Sequence, residues 1–184
     1  MKQGIQLMGV NGSNFDTCIE NLKRLNRILA RQVPEGALDA YVPGNILNYS
    51  TIDVGTRYFT SRKDDPTGAL IAFDRSVDPR GILTAMNDSS YFHGQDNEVL
   101  YYSASTVGND RQRRWVSLSK IRRGTDDQRN VRFVKAEPAT FRVGDIVEVQ
   151  LTVSAIPVRR NRFKMIVQLR AIALLDREFT EVSY

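Results

Sequence analysis

FRVGDIVEVQLTVSAIPVRRNRFKMIVQLRAIALL, residues 141–175, is the stretch on which the fold turns. In its first half the odd positions Phe141, Val143, Val147, Val149, Leu151 and Val153 are apolar, broken by Asp145, while Arg142, Glu148, Gln150 and Thr152 fill even ones. In its second half Phe163, Met165, Val167, Leu169 and Leu175 alternate with Arg162, Lys164, Gln168 and Arg170. Successive strand side chains point to opposite faces, so this period of two predicts two half-buried strands. Joined by residues 154–161, they predict a long antiparallel hairpin. Pro157 then sits at a strand end or edge, where its missing N–H is harmless. The "VGD" around Asp145 reads as turn chemistry at a strand start.

Working outward, "NEVLYYSAS", "RRWVSLSKI" and "NVRFVKA" predict further strands, separated by the turn "TVGNDRQ" and the polar loop "RRGTDDQRN". Between residues 34 and 68 the chain is punctuated by Pro34, Gly36, Pro43, Gly44, Gly55, Pro66 and Gly68, leaving room only for short strands such as 56–61. "ALIAF", 69–73, reads as another strand, and "DPRGILTAMND" as a short helix opened by Asp78 and Pro79 and weakened by Gly81. Near the N-terminus, Phe15, Cys18, Ile19, Leu22, Leu25 and Leu29 recur at three- and four-residue steps, which predicts a helix ending before Pro34 and Gly36. Its other face bears Lys23, Arg24, Arg27 and Arg31, a solvated face or one that meets a polyanion. The expected architecture is one α+β, mainly β domain over 1–184. It has an N-terminal helical element (1–36) and a β-rich core (56–184), the sheet forming an antiparallel small barrel or a sandwich.

Composition bounds the chemistry. Of the 184 residues 41% are hydrophobic and 26% charged, the balance of a globular chain. Cys18 is the only cysteine and His93 the only histidine, so no disulfide and no cysteine–histidine zinc site forms within one chain. His93 lies in the turn-like "YFHGQDNEV" and reads as a solvated polar residue, and Cys18 as a small buried hydrophobe. No P-loop, dinucleotide fingerprint, H-E-x-x-H or nucleophile elbow occurs, and the pairs Asp64–Asp65 and Asp126–Asp127 sit in turn contexts. The expectation is a non-enzymatic protein with no catalytic residues, metal, cofactor or small-molecule substrate. No run approaches the ~20 apolar residues of a membrane span. The opening "MKQGIQLMGVNGSNFD" is a poor signal peptide, so a nuclear or cytoplasmic location is expected.

Charge is unevenly spread. Residues 1–109 hold 10 basic and 12 acidic side chains, whereas residues 110–170 hold 15 basic and 6 acidic. A cationic third attracts polyanions, and arginine adds a fork that grips phosphate and stacks on bases. Two basic–aromatic groups stand out: Arg111, Arg113 and Arg114 beside Trp115, and Arg159, Arg160, Arg162 and Lys164 around Phe163, with Arg170 further along the polar phase. Together with Tyr101 and Tyr102 as possible stacking platforms, they predict low-specificity binding of DNA or RNA on a basic β-surface. Phe163 also fits the core phase, and charged hairpin tips also protect edges. The competing expectation is a structural protein that self-associates through the hairpin edge, as a homo-oligomer with no nucleic-acid role. An inactive remnant of a mobile-element protein is a third reading.

"DPRGILTAMNDSSYFHGQDNEVLYY" and the hairpin that follows, above all G-D-I-V-E-V-Q at 144–150 and L-R-A-I-A-L-L-D at 169–176, resemble a family of uncharacterised proteins predicted in mushroom-forming (basidiomycete) fungi. The resemblance spans roughly residues 78–178. It implies a eukaryotic, intracellular context and assigns no activity and no site residue.

Overall fold

The computed structural model describes residues 1–9, 13–106 and 131–177. Within them the protein is mainly β with one N-terminal α-helix, as its residue periodicities predict. The elements in chain order are β1 (Lys2–Met8), α1 (Ser13–Ala30), β2 (Gly44–Ile46), β3 (Tyr49–Arg57), β4 (Thr60–Ser61), β5 (Tyr91–Phe92), β6 (Leu100–Thr106), β7 (Val131–Lys135), β8 (Ile146–Pro157) and β9 (Phe163–Asp176). The predicted strand at 112–120 and its flanking loops lie outside the described residues.

The contacts divide the chain into two compact units. One comprises Met1 and the described residues of Arg57–Gln150 and Arg170–Tyr184; the other comprises Lys2–Thr56 and Leu151–Leu169. β8 and β9 each contribute residues to both.

The second unit holds α1 and a three-stranded sheet in the order β1-β3-β2. β2 and β3 pair antiparallel with Ile46 opposite Tyr49, so their loop is only Leu47 and Asn48, both at positive φ (48° and 71°). Two left-handed residues are what a primed hairpin turn requires. β3 runs nine residues straight through Gly55, longer than its glycine punctuation predicted. A Cβ on Gly55 would lie 2.9 Å from the Gln3 carbonyl oxygen and 3.3 Å from the Gly4 Cα, so glycine is what allows β1 to lie this close. Thr51, Ile52, Val54 and Thr56 of β3 are buried with Met165, Val167 and Leu169 of β9, and Thr56 Oγ1 donates to the Leu169 carbonyl at 2.5 Å. On α1 the buried positions are Ile19, Leu22 and Asn26. Leu25, expected on that face, is 40% exposed, because the inward position one step later goes to a polar side chain with a partner of its own.

In the first unit, β6 pairs antiparallel with β7 (Ala104 opposite Phe133) and parallel with β9 (Tyr101 opposite Ile172). The four-stranded sheet, order β7-β6-β9-β8, is therefore mixed and open rather than a closed antiparallel barrel. β9 is interior to it, and Ala171, Ile172, Ala173 and Leu174 are all buried. Period-two patterning ends there because a strand covered on both faces reads as a continuous apolar run. β8, at the edge, is half-buried along nearly its whole length. Val143, expected on its apolar phase, is fully exposed, since residues 138–145 form a 3-10 turn and a loop in which Gly144 takes φ 98° and the Asp145 carboxylate accepts from the Arg142 N–H at 2.7 Å.

Residues 62–90 hold no long element. "ALIAF" is irregular, tied by the Ile71 N–H to the His93 carbonyl at 2.8 Å. The helix expected at 78–88 shrinks to a 3-10 turn, Thr84–Met86, preceded by Gly81 at φ 68° and held by the Asp78 carboxylate, which accepts from the Thr84 N–H and hydroxyl at 2.7 Å each. In place of regular structure this region has an aromatic cluster. His93 is 4% exposed, not solvated as its turn-like setting suggested, and stacks on Phe73 at 3.8 Å, with Phe59 edge-on to Phe73 at 5.7 Å.

Candidate nucleic-acid interface

The hairpin tip is built by five residues, Val158 to Arg162, rather than the eight expected, because β8 continues through Pro157. The Val158 N–H donates to the Arg162 carbonyl at 2.8 Å, and Arg160 and Asn161 take φ of 63° and 54°. Asparagine tolerates the left-handed region; arginine there is uncommon. The turn thus holds an arginine at its apex at some backbone cost.

β9 leaves this turn and is caught at once by the segment 37–39. The Phe163 N–H donates to the Ala37 carbonyl at 2.8 Å, the Asp39 N–H donates to the Phe163 carbonyl at 2.9 Å, and Leu38 pairs with Phe163 in a parallel bridge. The Arg162 guanidinium forms an ion pair with the Asp39 carboxylate. The same residue's carbonyl accepts from Asn26 Nδ2 of α1 at 3.1 Å. Asp39 therefore fastens the base of the tip to the helix within one unit.

These ties sort the predicted contact residues. Arg162 is engaged by Asp39, and Arg170, on the far part of β9, places its guanidinium on the Asp96 carboxylate at 2.9 Å and on the Asp96 carbonyl. Arg159, Arg160 and Lys164 are exposed, and among the described residues none of them has a carboxylate within 4.0 Å. Residues 151–169 contain four basic side chains and no acidic one, so that stretch has no carboxylate of its own. Arg111, Arg113, Arg114 and Trp115 lie outside the described residues. Phe163 is half-buried, and Tyr101 packs its ring on Phe141 at 5.8 Å. Burial, aided by the neighbouring Tyr58, pushes the Tyr101 hydroxyl up to about 12, as expected for a ring set into the fold rather than a surface platform.

His93 Nδ1 lies 2.8 Å from the Tyr58 carbonyl, which only accepts, so Nδ1 carries the proton and the imidazole is spent on structure. Burial pushes the Cys18 thiol up, away from the reactive thiolate. Among the described residues no three His, Cys, Asp or Glu side chains converge as metal ligands, and no helix is long and apolar enough to cross a membrane.

Fold and surface together define a mainly β α+β protein whose hairpin tip presents Arg159 and Arg160 without a carboxylate neighbour among the described residues. No protein-family model, curated protein or solved structure matches the chain.

Proposed function

We propose that the protein is a non-enzymatic nucleic-acid-binding module that contacts phosphates through the hairpin tip. The supporting observation is the trio of Arg159 and Arg160 on the turn and Lys164 at the start of β9, exposed and without a carboxylate neighbour among the described residues, with Arg160 held in the left-handed region. Phosphate contacts carry no sequence information, so binding has low specificity. Each neutralised phosphate releases counterions, which gives log K a slope of about −0.7 per contact on log salt for single strands and about −0.9 for duplex. Fluorescence anisotropy of labelled DNA and RNA across a salt series, wild type against R159A/R160A/K164A, tests this. The variant is expected to weaken binding and flatten the slope. A folded wild-type protein that binds neither polymer at low salt overturns the reading.

One feature favours a second reading, self-association. β8 lies at the edge of its sheet with no strand on its outer side among the described residues, and Glu148 is its only charged residue. β7, at the opposite edge, is five residues long and contains Arg132 and Lys135. A long, weakly charged edge pairs readily with a second copy, and lysine on an edge blocks such pairing. Light scattering over a concentration series separates the readings: self-association predicts a mass that rises with concentration without nucleic acid and stays monomeric in Q150K/S154K.

A further inference from the structure

Helix α1 holds a second cationic surface in the same unit. Arg24, Arg27 and Arg31 follow one another at three- and four-residue steps, so they share one face of the helix and of the turn that ends it. With Ile28 they line a shallow, open groove on the helix surface. All three arginines are exposed, and among the described residues none has a carboxylate within 4.0 Å. Their neighbour Lys23 is different, being paired with Glu20 at 2.7 Å. Ile28, 46% exposed, sits among the guanidinium groups.

Ordinary helix electrostatics accounts for only part of this row. A cation near a helix C-terminus complements the macrodipole, which suits Arg27 in the last turn and Arg31 just past the helix end but not Arg24, further back along the helix. Like charges three and four residues apart repel one another. An anion placed over the row would relieve that repulsion. Position also matters: Asn26, between Arg24 and Arg27 in sequence, faces inward and bonds the Asp39 carbonyl, and the Asp39 carboxylate holds Arg162 at the base of the tip. The helix bearing the row and the strand bearing the tip are thus fastened to one residue.

We propose, resting on the nucleic-acid reading above, that Arg24, Arg27 and Arg31 form a second phosphate-binding row for single-stranded nucleic acid, with Ile28 receiving the apolar face of a sugar or base. Charge complementarity supplies the attraction. The exposed isoleucine favours a single strand, whose bases are free to meet it, over a duplex, whose bases are stacked inside.

The test uses the full chain and a fluorescein-labelled oligothymidylate, with the same sequence annealed to its complement as a second probe. Wild type is compared with R24A/R27A/R31A, R24K/R27K/R31K, I28D and the tip variant R159A/R160A/K164A over a salt series, circular dichroism confirming the fold. Alanine is the strongest helix former, so the first variant keeps α1. The expected result is a slope on log salt smaller by about 1.4–2.1 in R24A/R27A/R31A, the loss of two or three single-strand contacts at about 0.7 each. The lysine variant recovers it, and I28D weakens the single strand more than the duplex. A wild-type slope in R24A/R27A/R31A alongside a reduced slope in the tip variant overturns the row while the hairpin reading stands. Equal loss of single-strand and duplex binding in I28D overturns the single-strand assignment. Absence of oligonucleotide binding by wild type overturns both, as does binding confined to phosphatidylserine vesicles, which would make the row a membrane contact.

Discussion

The Asp39 carboxylate pairs with the Arg162 guanidinium across 123 positions of sequence, and both side chains are about half exposed. Exposed pairs contribute little, about 0–1 kcal/mol. Asp39→Asn is therefore expected to lower stability by no more than that in urea denaturation while leaving Arg162 free to meet phosphate. Binding should tighten and the salt slope steepen by about one contact, near 0.7 for a single strand. A slope unchanged from wild type would mean that Arg162 stays out of the interface even when released.

Arg160, at φ 63°, bears a Cβ where glycine would bear none. Left-handed backbone costs an L-residue about 1–2 kcal/mol, and the greater freedom of glycine in the unfolded chain returns about 0.4–1 kcal/mol of any gain. Arg160→Gly is expected to be neutral to about 1 kcal/mol stabilising in chemical denaturation, yet weaker in oligonucleotide binding. A variant that gains stability without losing affinity would separate the strain from the function.

His93 supports the aromatic cluster by stacking on Phe73 and by donating from Nδ1 to the Tyr58 carbonyl. His93→Ala removes the stack, worth about 0.5–1.5 kcal/mol, and orphans that carbonyl, at about 1–3 kcal/mol, so a loss of about 1.5–4.5 kcal/mol is expected in urea titration. His93→Phe keeps the stack and should lose only the second part. On the proposed function, oligonucleotide binding by folded protein is expected to survive in both, since His93 lies outside the hairpin tip.

Asp74 gives the protein a defined acid limb. Its carboxylate is held well below the usual carboxylate range, first by the Lys135 ammonium that bonds it and then by the Ser76 hydroxyl and N–H at 2.7 and 2.9 Å. A carboxyl depressed in the folded state contributes stability that is whole above its unfolded value, about 3.9, and drains away as pH falls below it toward the folded value. Asp74→Asn should lower stability at pH 7 and flatten the fall in melting temperature below pH 4. Because the pair is largely at the surface, the change is a fraction of what the same shift would give in a core.

Much of this fold was legible and part was not, for identifiable reasons. The alternation at Met165, Val167 and Leu169 gave the buried face of β9 directly, and the apolar spacing of Ile19 and Leu22 gave α1. The β2–β3 hairpin carries no local signal, because its turn is Leu47-Asn48, without the glycine that usually marks two left-handed residues. The parallel pairing of β6 with β9 joins strands far apart in sequence, which local periodicity cannot encode. At the site, the arginines of the tip were visible as a cluster, but which of them are neutralised was not. Asp39 and Asp96 lie 123 and 74 residues from their partners. Asn26, polar within an apolar stripe, was the one local hint that α1 reaches toward the loop after it.

β8 and β9 each pass from one compact unit into the other, and the stretch Leu151–Leu169 lies in sequence between two parts of the unit to which it does not belong. Neither unit is a transferable cassette. A fragment holding all of residues 2–56 and 151–169 must also hold everything between them, so recombination, truncation or a single proteolytic nick in the hairpin acts on both units at once.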